Sequence, residues 1–292
     1  MQAGDRVALI APARAVSPEE MQPFQDLVKR WNLELVEGEH LYLREGQFSG
    51  TDVQRFADLR QAWNDPGIKA IFCARGGYGS MRFLHLAETE LDIRKAKWLV
   101  GFSDISSMQF YLYNKGIPSI HGPMAFNAGA THAQKQQNFE YLRRALFGES
   151  LQYNLGECEI LNPATVRAEI IGGNLSLLYA SLGTPEQLDL KDKILFIEDL
   201  DEYLYHIDRM MQSLKRAGAL DGLAALIVGE MLEMRDNPIP FGRDSKQIIT
   251  EICGDMGYPI VFGFPAGHGE KNYCFKQGCV CTFEARTFQQ HP

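Results

Sequence analysis

Trp98-Leu99-Val100-Gly101-Phe102-Ser103-Asp104-Ile105 passes from a buried apolar run to polar residues at a single glycine. That is the pattern of a strand that turns tightly into a helix. A serine at the apex of such a turn has its hydroxyl lifted out of the sheet, and helix N-terminal amides beside it can receive an oxyanion. Two positions after the serine stands Ile105 rather than the glycine of the G-x-S-x-G elbow. Taken alone, the stretch therefore reads first as a helix N-cap, with Asp104 complementing the helix dipole.

The segments around it repeat the same alternation. Val7 to Ala11 is a short buried-strand run, Pro18 to Trp31 has helical spacing, Leu33 to Val36 is strand-like, and Thr51 to Asn64 is a helix stopped at Asp65-Pro66-Gly67. Ala70 to Ala74 gives another buried strand, followed by a glycine-rich turn at Arg75 to Ser80 and a helix from Met81. Strands alternating with helices imply an α/β fold with a mostly parallel sheet. In such sheets ligands gather at the carboxyl ends of the strands, where both Arg75 to Ser80 and Gly101 to Asp104 fall.

From Gln134 to Asn162 the chain becomes polar, and a domain boundary is expected near residue 150, within a dozen positions. Beyond it the apolar runs 194–198, 224–228 and 259–262 read as strands, and 175–182, 206–217 and 245–256 as helices. Tyr273 to Ala285 reads as an antiparallel hairpin turning at Gln277-Gly278.

Composition narrows the function. With 292 residues, 45% of them hydrophobic, two domains are expected. A formal net charge of −8 argues against nucleic-acid and anionic-membrane partners, which demand a basic face, and favours a small-molecule or peptide substrate. The six cysteines include one close group, Cys274, Cys279 and Cys281, whose spacing fits neither a zinc knuckle nor a redox pair. They read as reduced thiols of a cytoplasmic protein with no metal. The N-terminal segment reads as a strand, not a signal peptide, and no apolar run is long enough to span a bilayer.

Two further residues carry chemistry. Glu198 ends the apolar run Ile194 to Ile197, and its rival as a functional acid is Glu202, four residues on. His268 lies in Gly263-Phe264-Pro265-Ala266-Gly267-His268-Gly269, a loop after a buried strand, with a glycine on each side. In isolation His268 reads as a loop histidine, and Gly172-Gly173-Asn174 as a turn or a helix cap. The glycine-rich run at Arg75 to Ser80 lacks the lysine of a phosphate-binding loop and the full dinucleotide fingerprint.

Read together, Ala8 to Pro12, Ala74-Arg75-Gly76-Gly77-Tyr78-Gly79-Ser80, Gly101-Phe102-Ser103-Asp104, His121-Gly122-Pro123-Met124, Gly172-Gly173-Asn174-Leu175, Phe196-Ile197-Glu198-Asp199 and Gly263 to Gly269 resemble the LD-carboxypeptidase family of serine peptidases. That family includes murein tetrapeptide carboxypeptidases and the microcin C immunity peptidases. The resemblance runs in order along essentially the whole chain. It departs at Ala13-Arg14, where many relatives carry serines.

The resemblance implies a flavodoxin- or Rossmann-like parallel-sheet domain over 1–150 carrying the nucleophile. A smaller, mixed α/β domain of the swivelling type over 151–292 would carry the acid and the histidine. It makes Ser103 the nucleophile, His268 the general base and Glu198 its orienting carboxylate. The amides of Gly76, Gly77 and Asp104 become the oxyanion hole, and Tyr78, Gly173 and Asn174 candidate substrate contacts. A serine hydroxyl needs a base that takes its proton and returns it to the leaving amine, and the carboxylate holds one imidazole tautomer. General-base catalysis then requires the imidazole within about 2.6–3.2 Å of the hydroxyl, so the two domains must meet at the site.

The implied activity is release of the terminal D-alanine from a murein tetrapeptide during peptidoglycan recycling, by a cytoplasmic homodimer without cofactor or metal. One alternative is hydrolysis of acyl-sulfamoyl-adenylates, for which an aromatic that stacks on the base is expected; Trp31, Trp63 and Trp98 all lie in the first half. Another is a non-catalytic small-ligand-binding α/β protein. Serine, glutamate and histidine together weigh against it.

Overall fold

A computed structural model describes residues 1–129, 133–284 and 286–292, with the side chains of 133–135 left aside. The chain divides into two compact units, Met1–Glu149 with Tyr273–Lys276, and Ser150–Asn272 with Gln277–Pro292.

The first stretch runs β1 (Arg6–Ile10), α1 (Pro18–Arg30), β2 (Glu34–Glu37), α2 (Asp52–Asn64), β3 (Ile68–Cys73), α3 (Leu84–Glu90), β4 (Trp98–Gly101), α4 (Ser106–Asn114), β5 (Ser119–His121) and α5 (Ala133–Leu146). The remainder runs β6 (Leu151–Asn154), β7 (Glu159–Leu161), β8 (Val166–Asn174), α6 (Leu175–Ala180), β9 (Ile194–Leu200), α7 (Leu204–Arg216), β10 (Ala225–Leu232), α8 (Ser245–Cys253) and β11 (Ile260–Phe262). It closes with β12 (Phe275–Gln277), β13 (Cys279–Glu284) and β14 (Thr287–Gln290).

Helix boundaries follow local chemistry. Ser17 and Thr51 each close a capping box, with Glu20 and Gln54, so α1 and α2 begin where the first free amides find side-chain acceptors. The first sheet has the order β12-β5-β4-β3-β1-β2, and β1 to β5 pair in parallel. Against it α2, α3 and α4 bury one apolar cluster that includes Trp63, Phe83, Leu99, Phe102, Ile105 and Met124. Phe102 and Ile105, on either side of Ser103 and Asp104, are therefore anchored below the sheet end.

The second unit is mixed, with strand order β6-β14-β13-β8-β9-β10-β11-β7. Its centre, β8 to β11, is parallel, and β13, β14, β6 and β7 add antiparallel edges. The expected α/β class, a parallel sheet followed by a mixed one, is what the chain adopts.

The hairpin expected over Tyr273 to Ala285 does not form. β12 joins the first sheet beside β5, whereas β13 pairs with β8 and with β14. Gly278 does turn the chain, at φ 73°, with its amide donating to the Ile170 carbonyl at 2.8 Å. The turn passes the chain from one sheet to another instead of folding it back on itself. Ala285, the last residue of the expected hairpin, lies outside the described residues.

Among the described residues no helix is long and apolar enough to cross a membrane, and no cluster of histidine, cysteine and acidic side chains suits a metal ion. None of the six cysteines is in a disulfide. On β13, Cys281 is buried and Cys279 half-buried while Val280 between them is exposed, the alternation expected of a strand.

Candidate active site

In the first unit β4 ends at Gly101, Phe102 is extended, and Ser103 opens a helical turn that continues into α4. Ser103 has φ 60°, left-handed for a residue with a Cβ. Such a conformation costs on the order of 1–2 kcal/mol, and it persists because Phe102 and Ile105 fix the chain on both sides.

The glycine-rich loop after β3 lies against this turn. A Cβ built on Gly76 would stand 3.1 Å from Ser103 Cβ, 3.2 Å from Ser103 Oγ and 3.3 Å from Met124 Cε. A side chain here would have to move these neighbours by a few tenths of an ångström. At Gly77 the chain takes φ 107°, again a glycine conformation. Tyr78 follows, 41% exposed, its ring centroid 6.1 Å from that of Phe48.

Asp104 holds the loop to the turn. Its buried carboxylate accepts from the Ser80 amide at 2.8 Å and the Gly79 amide at 3.3 Å, and its carbonyl accepts from the hydroxyls of Ser80 and Ser107. Burial pushes the Asp104 carboxyl above the ordinary range, opposed by those amides and by the charge of Arg55. Arg55, also buried, donates to the carbonyls of Gly50 and Gly79 and pairs with Asp52. The loop is thus clamped through Gly79, amide to Asp104 and carbonyl to Arg55.

A methyl at Gly76 should push directly on Ser103. Gly76→Ala is expected to lower turnover on the order of 10- to 100-fold, because sub-ångström displacement of a reacting group is costly. Gly76 has no positive φ to strain, so the melting temperature should stay within a few degrees. Peptide hydrolysis and thermal melting measured on the same preparation check both.

In the second unit β9 carries Glu198 and Asp199, both buried. Glu198 Oε2 lies 2.6 Å from His268 Nδ1, and the histidine side chain is 14% exposed. Glu198 Oε1 is buried without a hydrogen-bond partner among the described residues, so the charge is directed at the ring. Glu202, the rival acid, instead contacts His206 Nδ1 at 2.8 Å, one helical turn away.

Burial favours a neutral His268, but the charge and hydrogen bond of Glu198, with Asp199 and Glu230 behind it, outweigh burial and raise its pKa above 6.5. Asp199 is pushed up to about 7, by burial first and then by Glu198. Its carboxylate accepts from Asn174 Nδ2 at 2.9 Å and from the Ser176 and Leu200 amides, both at 2.8 Å.

Gly173 and Asn174 lie on β8 opposite Ile197 and Glu198. The Asn174 side chain is used within the fold: Nδ2 donates to Asp199, and Oδ1 accepts from the Ser176 hydroxyl and caps α6.

Glu230 is the acid that sequence reading missed. It sits on β10 where pairing with β9 shifts register between Val228 and Met231, and its carboxylate accepts from the Gly269 amide in the histidine loop. Burial raises its pKa, against that amide. The signal present is Ala225 to Glu230, an apolar run ending in an acid as Ile194 to Glu198 does, interrupted by Gly229.

The first unit thus offers a serine hydroxyl packed against the glycine-rich loop, and the second an imidazole held by a carboxylate. The class these parts and the fold define is that of the serine peptidases. Residues 7–122 match the LD-carboxypeptidase N-terminal domain and residues 167–283 the LD-carboxypeptidase C-terminal domain. The chain belongs to the LD-carboxypeptidase family.

A Streptomyces coelicolor relative bearing a carboxypeptidase name is 36% identical over 97% of this chain and 92% of its own. The murein tetrapeptide carboxypeptidase of Pseudomonas aeruginosa is 29% identical over 96% of this chain and 93% of its own. Among solved structures, the muramoyltetrapeptide carboxypeptidase of Oxalobacter formigenes aligns with a TM-score of 0.84 at 25% identity, covering 98% of this chain and 99% of its own. The microcin C7 self-immunity protein MccF, in complex with aspartyl sulfamoyl adenosine, aligns at 0.89 with 20% identity over 100% of this chain and 97% of its own, a likeness of fold.

Proposed function

We propose that this protein removes the terminal D-alanine from murein tetrapeptide in the cytoplasm, in peptidoglycan recycling, cutting the bond between the L-centre of the diamino acid and D-alanine. The observation that carries the reading is the 2.6 Å contact between His268 Nδ1 and Glu198 Oε2, which fixes one tautomer and leaves Nε2 as the base. His268 takes the Ser103 proton as Oγ attacks the scissile carbonyl. The Gly76, Gly77 and Asp104 amides receive the oxyanion. The C–N bond breaks as His268 returns the proton to the leaving amine, and water then hydrolyses the acyl-serine, regenerating the hydroxyl.

The placement of the tryptophans favours a peptide over a nucleotide-like substrate. Trp31 and Trp63 are buried in the core of the first unit. Trp98, at the start of β4, lines a cavity of about 330 Å³ with Met1, Asp5, Lys69, Lys97 and Pro118, at the sheet end away from Ser103.

Incubation of the purified protein with free murein tetrapeptide is expected to yield tripeptide and D-alanine in equal amounts, read by mass spectrometry. Hydrolysis of an aspartyl sulfamoyl adenosine with no action on the tetrapeptide would overturn the assignment.

A further inference from the structure

We propose that Arg14 binds the free carboxylate at the C-terminus of the peptide substrate and so makes the enzyme an exopeptidase. This rests on the peptidase reading above. Arg14, Arg44, Arg55, Arg75 and Arg82 stand around the strand-end loops of the first unit; the last three are engaged, and of the other two Arg14 is the one whose stem lies against the glycine-rich loop. Arg75 lies 3.6 Å from Glu20 and 4.1 Å over the Phe126 ring; Arg82 pairs with Asp52 at 2.9 Å; Arg55 is buried in the clamp on Gly79. Arg14 is exposed, and among the described residues its guanidinium has neither an ion pair nor a hydrogen bond.

Its backbone is nevertheless fixed. The Arg14 amide donates to the Gly76 carbonyl at 3.4 Å, and Arg14 forms an isolated bridge with Phe48. Its stem lies across the next residue, since a Cβ on Gly77 would meet Arg14 Cδ at 2.5 Å and Nε at 2.7 Å. Ser103 abuts Gly76 and Arg14 abuts Gly77, so hydroxyl and cation flank adjacent residues of one loop, whose Cα atoms are about 3.8 Å apart.

A peptide cut before its last residue has the same spacing. Its scissile carbonyl and its terminal carboxylate are separated by one residue, and a guanidinium is the side chain that grips a carboxylate through two parallel N–H donors. A longer peptide would bring a neutral amide to Arg14 and lose that charge-assisted contact. The loop so measures one residue from nucleophile to cation.

The test compares murein tetrapeptide with its C-terminal amide, titrated calorimetrically into Ser103→Ala protein so that nothing is consumed. The acid is expected to bind about 10- to 100-fold more tightly than the amide, the range of a charge-assisted hydrogen bond. Adding Arg14→Ala should bring the two affinities together, while Arg14→Lys keeps part of the preference. Melting curves check that each variant is folded. An acid preference that survives Arg14→Ala, or is absent from the Ser103→Ala parent, overturns the assignment of Arg14. Failure of the wild-type protein to hydrolyse the tetrapeptide, alongside an Arg14-dependent preference, overturns the peptidase reading and leaves the carboxylate site standing.

Discussion

Replacing Ser103 with glycine is expected to abolish hydrolysis while making the protein more stable. The hydroxyl is the proposed nucleophile, and loss of the nucleophile in a serine triad lowers turnover by on the order of 10⁶-fold. The same residue sits at φ 60°, where a Cβ is strained and glycine is not. Relief of that strain, less the greater entropy of glycine in the unfolded chain, leaves a gain of about 0.5–1 kcal/mol. Ser103→Ala keeps the Cβ, so it should be equally inactive with a melting temperature near that of the wild type. Turnover and thermal melting of the three proteins decide the matter. If the glycine variant is the least stable, the strain is not real; if either variant turns over, Ser103 is not the nucleophile.

The turn at Ser103 was readable because several constraints on it are local. A buried strand, a glycine and a serine before a helix leave few backbone paths, and the chain takes the expected one from Trp98 to Ile105. Glu198 was readable for a similar reason: an acid that closes a run of buried apolar residues must be buried with a partner or be functional. What escaped was set by partners distant in sequence. β8, Val166–Asn174, occupies the middle of the second sheet, yet its two glycines and its charged residues break both the alternating and the continuous apolar pattern. β12 and β13 look like one hairpin because nothing local tells a strand which sheet it will join. Glu230 was missed because the shift in register that aims it at Gly269 is a property of the pairing with β9, not of its own segment.

The acid limb of the pH profile should move when Glu198 loses its charge. A general base must be neutral to accept the Ser103 proton, and His268 is held above 6.5 by Glu198 and its neighbouring carboxylates against the opposing effect of burial. In the wild type, kcat/KM should therefore rise with pH through a midpoint above 6.5. Glu198→Gln keeps the shape, removes the largest influence that raises the pKa, and leaves burial dominant. Its midpoint should fall, and its plateau should drop on the order of 10³- to 10⁴-fold, as when the orienting acid of a triad is neutralised. Glu202→Gln breaks only the contact with His206 and should leave midpoint and plateau in place. Stability gives an independent reading with a definite sign. A histidine whose folded pKa exceeds its unfolded value contributes stability that is full below about 6.5 and is lost as pH rises through the folded value. The melting temperature lost on Glu198→Gln should accordingly be greatest on the acid side of that window and shrink above it. A midpoint that stays put in Glu198→Gln but moves in Glu202→Gln would transfer the orienting role to the other acid.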